Sequence, residues 1–482
     1  MDKNMGDVLW SADALVAATG GKLVGQVVKS LCGVSIDSRS VADGDVFVAI
    51  KGDTMDGHDY AAKALETGAG IAVVSQVTKA MKAAGPLLVV GDDTLKALEQ
   101  MGRAARARSH GKVIAVTGSV GKTSTKEMLR LALSASGETH ASAASFNNHW
   151  GVPLTLARFS PSSAFGVFEI GMNHAGEITP LVDMVKPHVA IVTTVAASHL
   201  GHFASVDEIA DAKAEIFSGV VAGGSAIINR DSPYFDKLAA VARSHGIKTI
   251  AGFGRNENAE VRMERIALHA DCCCVTADVL GEKLIYKLGM PGGHMAMNSL
   301  AVLAAVKLAG ADLARAALAL SEAKPAKGRG VQERLETGSA PITLIDESYN
   351  ANPASMVAAL DLLKHARLGK GGRRVAILGD MLELGQFGPA LHTGLAKDID
   401  EAGVDVLYAA GPLMAHLWDA VPLAKRGRFA ATSAELKDSV LAGLQPGDCV
   451  MIKGSLGSRM GLLAQAMKTQ WPLQQHGMNK DN

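Results

Sequence analysis

From residue 93 onward, apolar runs of strand length alternate with longer segments whose apolar positions recur at helical spacing. VIAVTG (113–118), FGVFEIG (165–171), HVAIVTTV (188–195), GSAIINR (224–230) and IKTIAGFG (247–254) read as buried strands. Between them TSTKEMLRLALSAS, SVDEIADAKAEIFSGV and SPYFDKLAAVARSHG read as helices. Such alternation implies crossover units and a parallel sheet covered on both faces. After 340 the grammar repeats: ITLIDES, a helix from about 353, RRVAILGD, a helix near 390, VDVLYAAG, then CVMIKGS and a helix. Residues 1–92 are shorter and more mixed, with VSIDSR, GDVFVAI, AGIAVVS and PLLVV as strand candidates. No short tandem repeat or low-complexity tract interrupts the chain.

Two breaks divide it. DTLKALEQMGRAARARSH (93–110) is a polar-faced helix leading into the apolar KVIAVTG, and EAKPAKGRGVQER (322–334) reads as a hinge containing Pro325. The expected fold is α/β in three domains: 1–92, 93–325 and a Rossmann-like unit over 326–482.

At 482 residues the chain is too long for one ordinary core, which agrees with that division. Apolar residues at 48% and charged residues at 20% indicate a globular, soluble protein. Lys plus Arg, 48, equals Asp plus Glu, 48, so charge gives no argument for nucleic acid or an acidic membrane. The Cys272–Cys274 run lacks metal or redox spacing, and neighbours on a strand point to opposite faces, so buried, reduced thiols are expected. MDKNMGDVLW does not resemble a signal peptide, and SLAVLAAVKLAG is cut by Lys307 and too short to span a bilayer. A cytoplasmic protein with no membrane span is expected.

The candidate chemistry begins at VTGSVGKTSTKEM (116–128). A P-loop is written G-x-x-x-x-G-K-[ST]; here Val116 stands where the first glycine belongs, and Gly118 lies three residues before Gly121. The segment still passes from a strand into a helix N-terminus, where free N–H groups and the helix dipole favour an anion. Lys122 can reach terminal phosphates and the Thr123 hydroxyl can hold Mg²⁺. The bland alternative is a glycine-softened turn. The short spacing argues against a motor or GTPase loop, and the only Asn-Lys-Asp, at 479–481, lies in the C-terminal tail, so guanine recognition is not expected.

SFNNHWGVPLTL (145–156) places two amides in a loop that suits either turn chemistry or phosphate and substrate contact. Glu169 sits within an apolar strand, four residues from its expected mouth, and is costly there unless a cation or donor meets it. His199 falls past another strand and Lys213 on the following helix; each alone is more often an ordinary loop histidine or solvated lysine. Gly118, Glu169 and His199 nevertheless map to the carboxyl edge of one sheet, which makes a Mg²⁺–ATP site. In the third unit Asp346 lies at a strand end, an Asn-x-Asn-Pro turn caps the next helix, and Lys453 and Ser455 follow a strand.

These residues resemble the ATP-dependent Mur ligases over nearly the whole chain. TGSVGKTS stands where that family has a short T-G-x-x-G-K-T loop, and NNHWGVPLTL, HLGHF and AKAEIF follow in family order. GGHMAMNSLAV resembles a Gly-x-His-Asn-x-x-Asn stretch but carries Met295 where asparagine is usual. DESYNANPASM and LGDMLELG resemble the D-alanyl-D-alanine-adding branch more than the others, and SIDSR with DGHDYAAKAL resembles the domain holding a UDP-sugar. The resemblance implies a UDP-sugar-peptide-binding domain over 1–92, a P-loop-type ATPase domain over 93–325 and the Rossmann-like domain at the end.

It implies further that Gly118, Ser119, Val120, Gly121, Lys122, Thr123 and Ser124 cradle ATP phosphates, with Asn148 alongside. Thr123 and Glu169 would hold one Mg²⁺, and His199 and a carbamylated Lys213 a second. Lys122, His199 and Lys213 would serve catalysis. Asn298 would approach the adenine, and Arg334 and Asp346 the nucleotide phosphate and ribose. Ser38, Arg39, Asp56 and His58 would face the UDP-N-acetylmuramoyl-tripeptide, and Asn350 and Asn352 the D-alanyl-D-alanine. The implied reaction is peptide-bond formation through an acyl phosphate, the last cytoplasmic step of peptidoglycan-precursor synthesis and so part of cell-wall growth, cell shape and division. A monomer is expected. The rivals are a sister amide ligase (another Mur ligase or one like the folylpolyglutamate synthases), a P-loop ATPase that needs no amine acceptor, and a non-catalytic nucleotide-binding regulator.

Overall fold

The computed structural model describes residues 8–91, 93–142 and 145–474. MDKNMGD (1–7) and the Asn-Lys-Asp at 479–481 lie outside the described residues. Three sheets follow one another along the chain, as the repeated alternation requires.

The first sheet has the order β1-β5-β4-β3-β2, built from β1 (Lys22–Val24), β2 (Gly33–Ser35), β3 (Asp45–Val48), β4 (Ile71–Val74) and β5 (Leu87–Val89). Only β1 runs antiparallel. Alternate residues of β3 and β4 enter different cores: Phe47 and Ala72 join the helix His58–Thr67, while Val46, Val48 and Ile71 join the helix Thr94–Arg108. Asp93 caps that second helix, its carboxylate accepting from Leu95 N and Lys96 N. The helix is shared between units, because Ala97, Leu98 and Met101 pack with both the first sheet and Leu154 and Ala157 of the helix Gly151–Ala157.

The central sheet has the order β14-β13-β12-β11-β10-β9-β6-β8-β7. Its members are β6 (Lys112–Thr117), β7 (Thr139–Ala141), β8 (Phe165–Glu169), β9 (Val189–Val192), β10 (Ser225–Asn229), β11 (Thr249–Gly254), β12 (Val261–Leu268), β13 (Cys273–Val279) and β14 (Glu282–Leu288). The expected parallel strands are all present, and the short β7 extends them at one edge. The antiparallel β12–β14 at the other edge departs from a wholly parallel sheet. Its strands alternate: Cys273, Val275, Ala277 and Val279 are buried under the helix Gly293–Leu308, and the residues between them are less buried. One-sided burial needs no crossover helix, so an antiparallel meander suffices. Cys273 is accordingly buried, donating its S–H to Met290 O, and burial pushes its pKa up to about 11, while Cys274 is exposed. None of the five cysteines is in a disulfide.

The third sheet has the order β15-β16-β20-β17-β18-β19, from β15 (Val331–Leu335), β16 (Ile342–Glu347), β17 (Arg374–Gly379), β18 (Val406–Ala410), β19 (Arg426–Ala430) and β20 (Cys449–Lys453). Only β15 is antiparallel. Among the described residues no helix is long and apolar enough to cross a membrane.

Candidate active site

The loop 118–121 leaves β6 between its neighbours β8 and β9, at the carboxyl edge of the parallel strands, and enters the helix Lys122–Ser134. Its two glycines are required by geometry. Gly118 has φ 149° and lies against the Thr193 side chain; Gly121 has φ 88°, and a Cβ there would sit 2.5 Å from Asn298 Nδ2. The loop is pinned from β9's continuation: Ser119 Oγ donates to Ala196 O at 2.9 Å, and Thr193 Oγ1 donates to Val120 O at 2.6 Å. No side chain caps the helix, so its first N–H groups stay free for an anion. Lys122 Nζ donates to Gly118 O at 2.7 Å, folding back over the loop.

Glu169 is the last residue of β8, so it stands at the mouth itself rather than four residues inside. The strand ends there because Gly171 N turns away to donate to Asn147 O. The carboxylate is buried and satisfied: Thr123 Oγ1 donates to it at 2.9 Å and Asn147 Nδ2 at 2.7 Å. Lys213, on the helix Val206–Ala214, is 2% exposed, and its side-chain amine has no hydrogen bond or ion pair among the described residues. Burial, reinforced by the Lys122 charge, pushes its pKa well below the usual lysine range. Burial likewise lowers Lys122, with Glu169 opposing and Arg329 adding to the shift. Glu169 offsets the Lys122 charge, whereas no carboxylate offsets that of Lys213.

The third unit closes the other side of a cleft of about 270 Å³. Asn352 caps the helix Pro353–His365 and also brings Nδ2 to 3.4 Å from Ser119 O on the loop. Lys453, at the end of β20, donates to Glu347 at 3.0 Å and to Asn350 O at 3.0 Å. The Arg329 guanidinium stacks 4.3 Å over Tyr349 and reaches within 3.5 Å of Ser145 Oγ. His199 Nδ1 meets Glu383 Oε2 at 2.6 Å, across from one unit to the other. Burial lowers the His199 pKa, with Glu383 opposing.

With this geometry in view, the relatives of the chain carry weight. Three families match in succession: the Mur ligase family catalytic domain over 31–117, the Mur ligase middle domain over 116–306, and the Mur ligase glutamate ligase domain over 333–456. A UDP-N-acetylmuramoyl-tripeptide–D-alanyl-D-alanine ligase of Rickettsia prowazekii is 31% identical over 94% of this chain and 98% of its own length. The chain belongs to the Mur ligase family. The protein of the same name from Escherichia coli is 34% identical over 81% of this chain and 83% of its own. A crystal structure of MurF from Acinetobacter baumannii superposes with a TM-score of 0.83 at 31% identity, covering 95% and 99% of the two chains.

In this Mur ligase most of the residues singled out in the sequence gather at the cleft. Ser119 to Ser124, Glu169, His199, Asn350 and Asn352 line it, Lys213 lies buried close enough to Lys122 and His199 to shift with them, and Asn298 packs on Gly121. Several others do not. Asn148 is exposed and accepts from Trp150 N and Gly151 N as a turn cap, so Asn147 is the amide at the cleft. Arg334 is exposed on β15 and lines a separate cavity of about 660 Å³ with Arg367; Arg329 is the arginine at the cleft. Asp346 points to the opposite face of β16 from Glu347, where it accepts from Ser348 and lies 3.9 Å from Lys468.

In the first unit Ser38 and Arg39 follow β2, and Arg39 forks onto Asp37, which it holds down to about 2. His58 is bracketed by Asp56 at 2.6 Å and by Ser75 N at 2.9 Å, which ties the start of a helix to the end of β4. The first unit meets the central one where the Trp150 ring packs on Gly52. Sequence reasoning passed over Arg329, Tyr349, Glu347 and Glu383, and raised Asn147 only as one of two amides in its loop. Arg329 sits in the hinge and Asn147 beside Asn148, so the same motifs also supply these cleft-lining residues.

Proposed function

We propose that this Mur ligase joins D-alanyl-D-alanine to UDP-N-acetylmuramoyl-tripeptide with conversion of ATP to ADP and phosphate. The observation that carries the reading is likeness over nearly full length to relatives of that name, together with a helix-N-terminal phosphate cradle facing a second unit across one cleft. The tripeptide's terminal carboxylate oxygen attacks the γ-phosphorus and ADP leaves. The dipeptide amine then attacks the acyl carbon, and the carbon–oxygen bond to phosphate breaks from a tetrahedral intermediate.

The free N–H groups of the loop and Lys122 bind and orient the phosphates and offset the charge that builds on them. Burial lowers the Lys122 pKa, and a phosphate bound beside the amine opposes that shift and favours its charged form. Asn352, from the third unit, bears on the loop and excludes water from one side of the cleft, which protects an acyl phosphate from hydrolysis.

The residues fit a magnesium ion. Thr123 and Glu169 offer hard oxygen ligands in mutual contact and would hold the ion. Bound there, Mg²⁺ supplies a positive clamp on the phosphoryl oxygens. Lys213, unpartnered and held toward its neutral form, suits carbamylation: a neutral amine adds carbon dioxide, and the resulting anion answers the local lack of negative charge. With His199 it would hold a second ion. We assign 1–92 to the UDP-sugar peptide, 93–325 to ATP and 326–482 to the dipeptide. We also assign a monomer that works in the cytoplasm, where ATP and nucleotide-linked precursors are found.

The test is phosphate release measured with ATP, the UDP-tripeptide and a panel of amines side by side. Release that requires both the tripeptide and D-alanyl-D-alanine is expected. Equal release with either omitted points to a plain ATPase, and preference for a single amino acid to a sister ligase.

A further inference from the structure

Two loops from different units clasp each other beside the cleft. His199, in the central unit, has φ 56°, and Glu383, in the loop after β17 of the third unit, has φ 62°. Positive φ is rare outside glycine and costs energy, so surrounding contacts must hold both residues there. Those contacts are mutual. Gly201 N donates to Glu383 O at 2.8 Å, and the Glu383 carboxylate lies 2.6 Å from His199 Nδ1. Nε2 of His199 makes no hydrogen bond among the described residues, and the ring lines the cleft. Neighbouring charge comes from Lys122 and Lys213 on the central unit, so Glu383 is the carboxylate that meets this imidazole.

We propose that Glu383 is a positioning residue for His199. By accepting the Nδ1–H it fixes the tautomer and the ring orientation, and leaves the Nε2 lone pair as the cation-binding atom. A carboxylate behind a ligating histidine typically changes metal affinity by about 10–100-fold. Because the carboxylate arrives on another unit, the imidazole is oriented only when the third unit is docked. Cation binding at His199 and closure of the cleft are therefore one event. This rests on the reading of His199 as a cation ligand.

The test is Mn²⁺ binding followed by electron paramagnetic resonance, with a non-hydrolysable ATP analogue and no amine present. It is therefore independent of which peptide bond the enzyme makes. Glu383→Ala should weaken Mn²⁺ binding at the His199 position by about 10-fold or more. Glu383→Asp, which keeps the charge and tolerates positive φ, should restore part of it. In a His199→Ala background, Glu383→Ala should cost nothing further. Wild-type Mn²⁺ binding by Glu383→Ala would overturn the proposal, as would a loss that persists undiminished in the His199→Ala background.

Discussion

Lys213 shows how much a single side chain depends on its surroundings. In sequence it is one lysine on an amphipathic helix; in the fold it is buried, without an ion pair, and pushed toward neutrality by burial and by Lys122. Removing it should therefore cost catalysis more than stability, since a buried unpaired amine stabilises nothing. We expect Lys213→Ala to lose roughly 100-fold or more in phosphate release and to regain part of it with added short carboxylates, which can occupy the vacated space with the negative charge a carbamate on Lys213 would carry. Full activity in the variant, measured by the same assay, would remove Lys213 from the site. Glu169 was legible for the opposite reason: a carboxylate in an apolar strand needs a partner, and Thr123 and Asn147 supply it. Asn147 and Asn148 were not separable in sequence, because which amide of a neighbouring pair faces a cleft depends on the turn that carries them.

At the scale of elements, hydrophobic patterning was sufficient for the long apolar parallel strands and their crossover helices, and insufficient for the short parallel β7, for β19 and for the edge meander β12–β14. VRMERIAL and EKLIYKL carry charges on their open face, so they read as polar helix or loop unless pairing is known. Contacts between elements also carry pH dependence. His188, just before β9, accepts from Val113 N of β6 through Nδ1, and burial pushes its pKa down to about 4. The folded protein thus resists protonation that the unfolded chain accepts near pH 6.5. Stability from this contact is present above that pH and is lost as pH falls toward about 4. Between about pH 7 and pH 5 the loss should be about 1–2 kcal/mol, allowing for solvent reaching the ring. His188→Asn keeps an acceptor and removes the titration, so urea unfolding of that variant should change less over the same interval. An identical slope in both proteins would contradict the assignment.

Across the whole molecule the units are joined by shared cores as well as by the cleft. Trp10 is 2% exposed, its indole donates to Ala157 O at 2.9 Å, and Arg108 stacks 4.0 Å above the ring. That places one residue of the first unit against the boundary helix and the central unit together. Trp10→Ala should lower stability by about 3–5 kcal/mol, read as the midpoint of the first transition in urea unfolding. The clasp of His199 and Glu383 is the other kind of joint, made of strained loops rather than packed cores, and so suited to opening and closing.

The amino-acid sequence by itself determined three α/β units, the strand-to-helix phosphate loop with its short spacing, and the placing of Gly118, Glu169 and His199 along one sheet edge. These depend on local periodicity and on chain order, which a sequence carries directly. Tertiary structure alone decided which of two adjacent residues faces the cleft: Asn147 over Asn148, Glu347 over Asp346. It also brought Arg329 to the cleft while Arg334 turned away. The reason is geometric. Neighbours on a strand point to opposite faces, and a residue supplied by another unit has no fixed sequence distance from the site it completes.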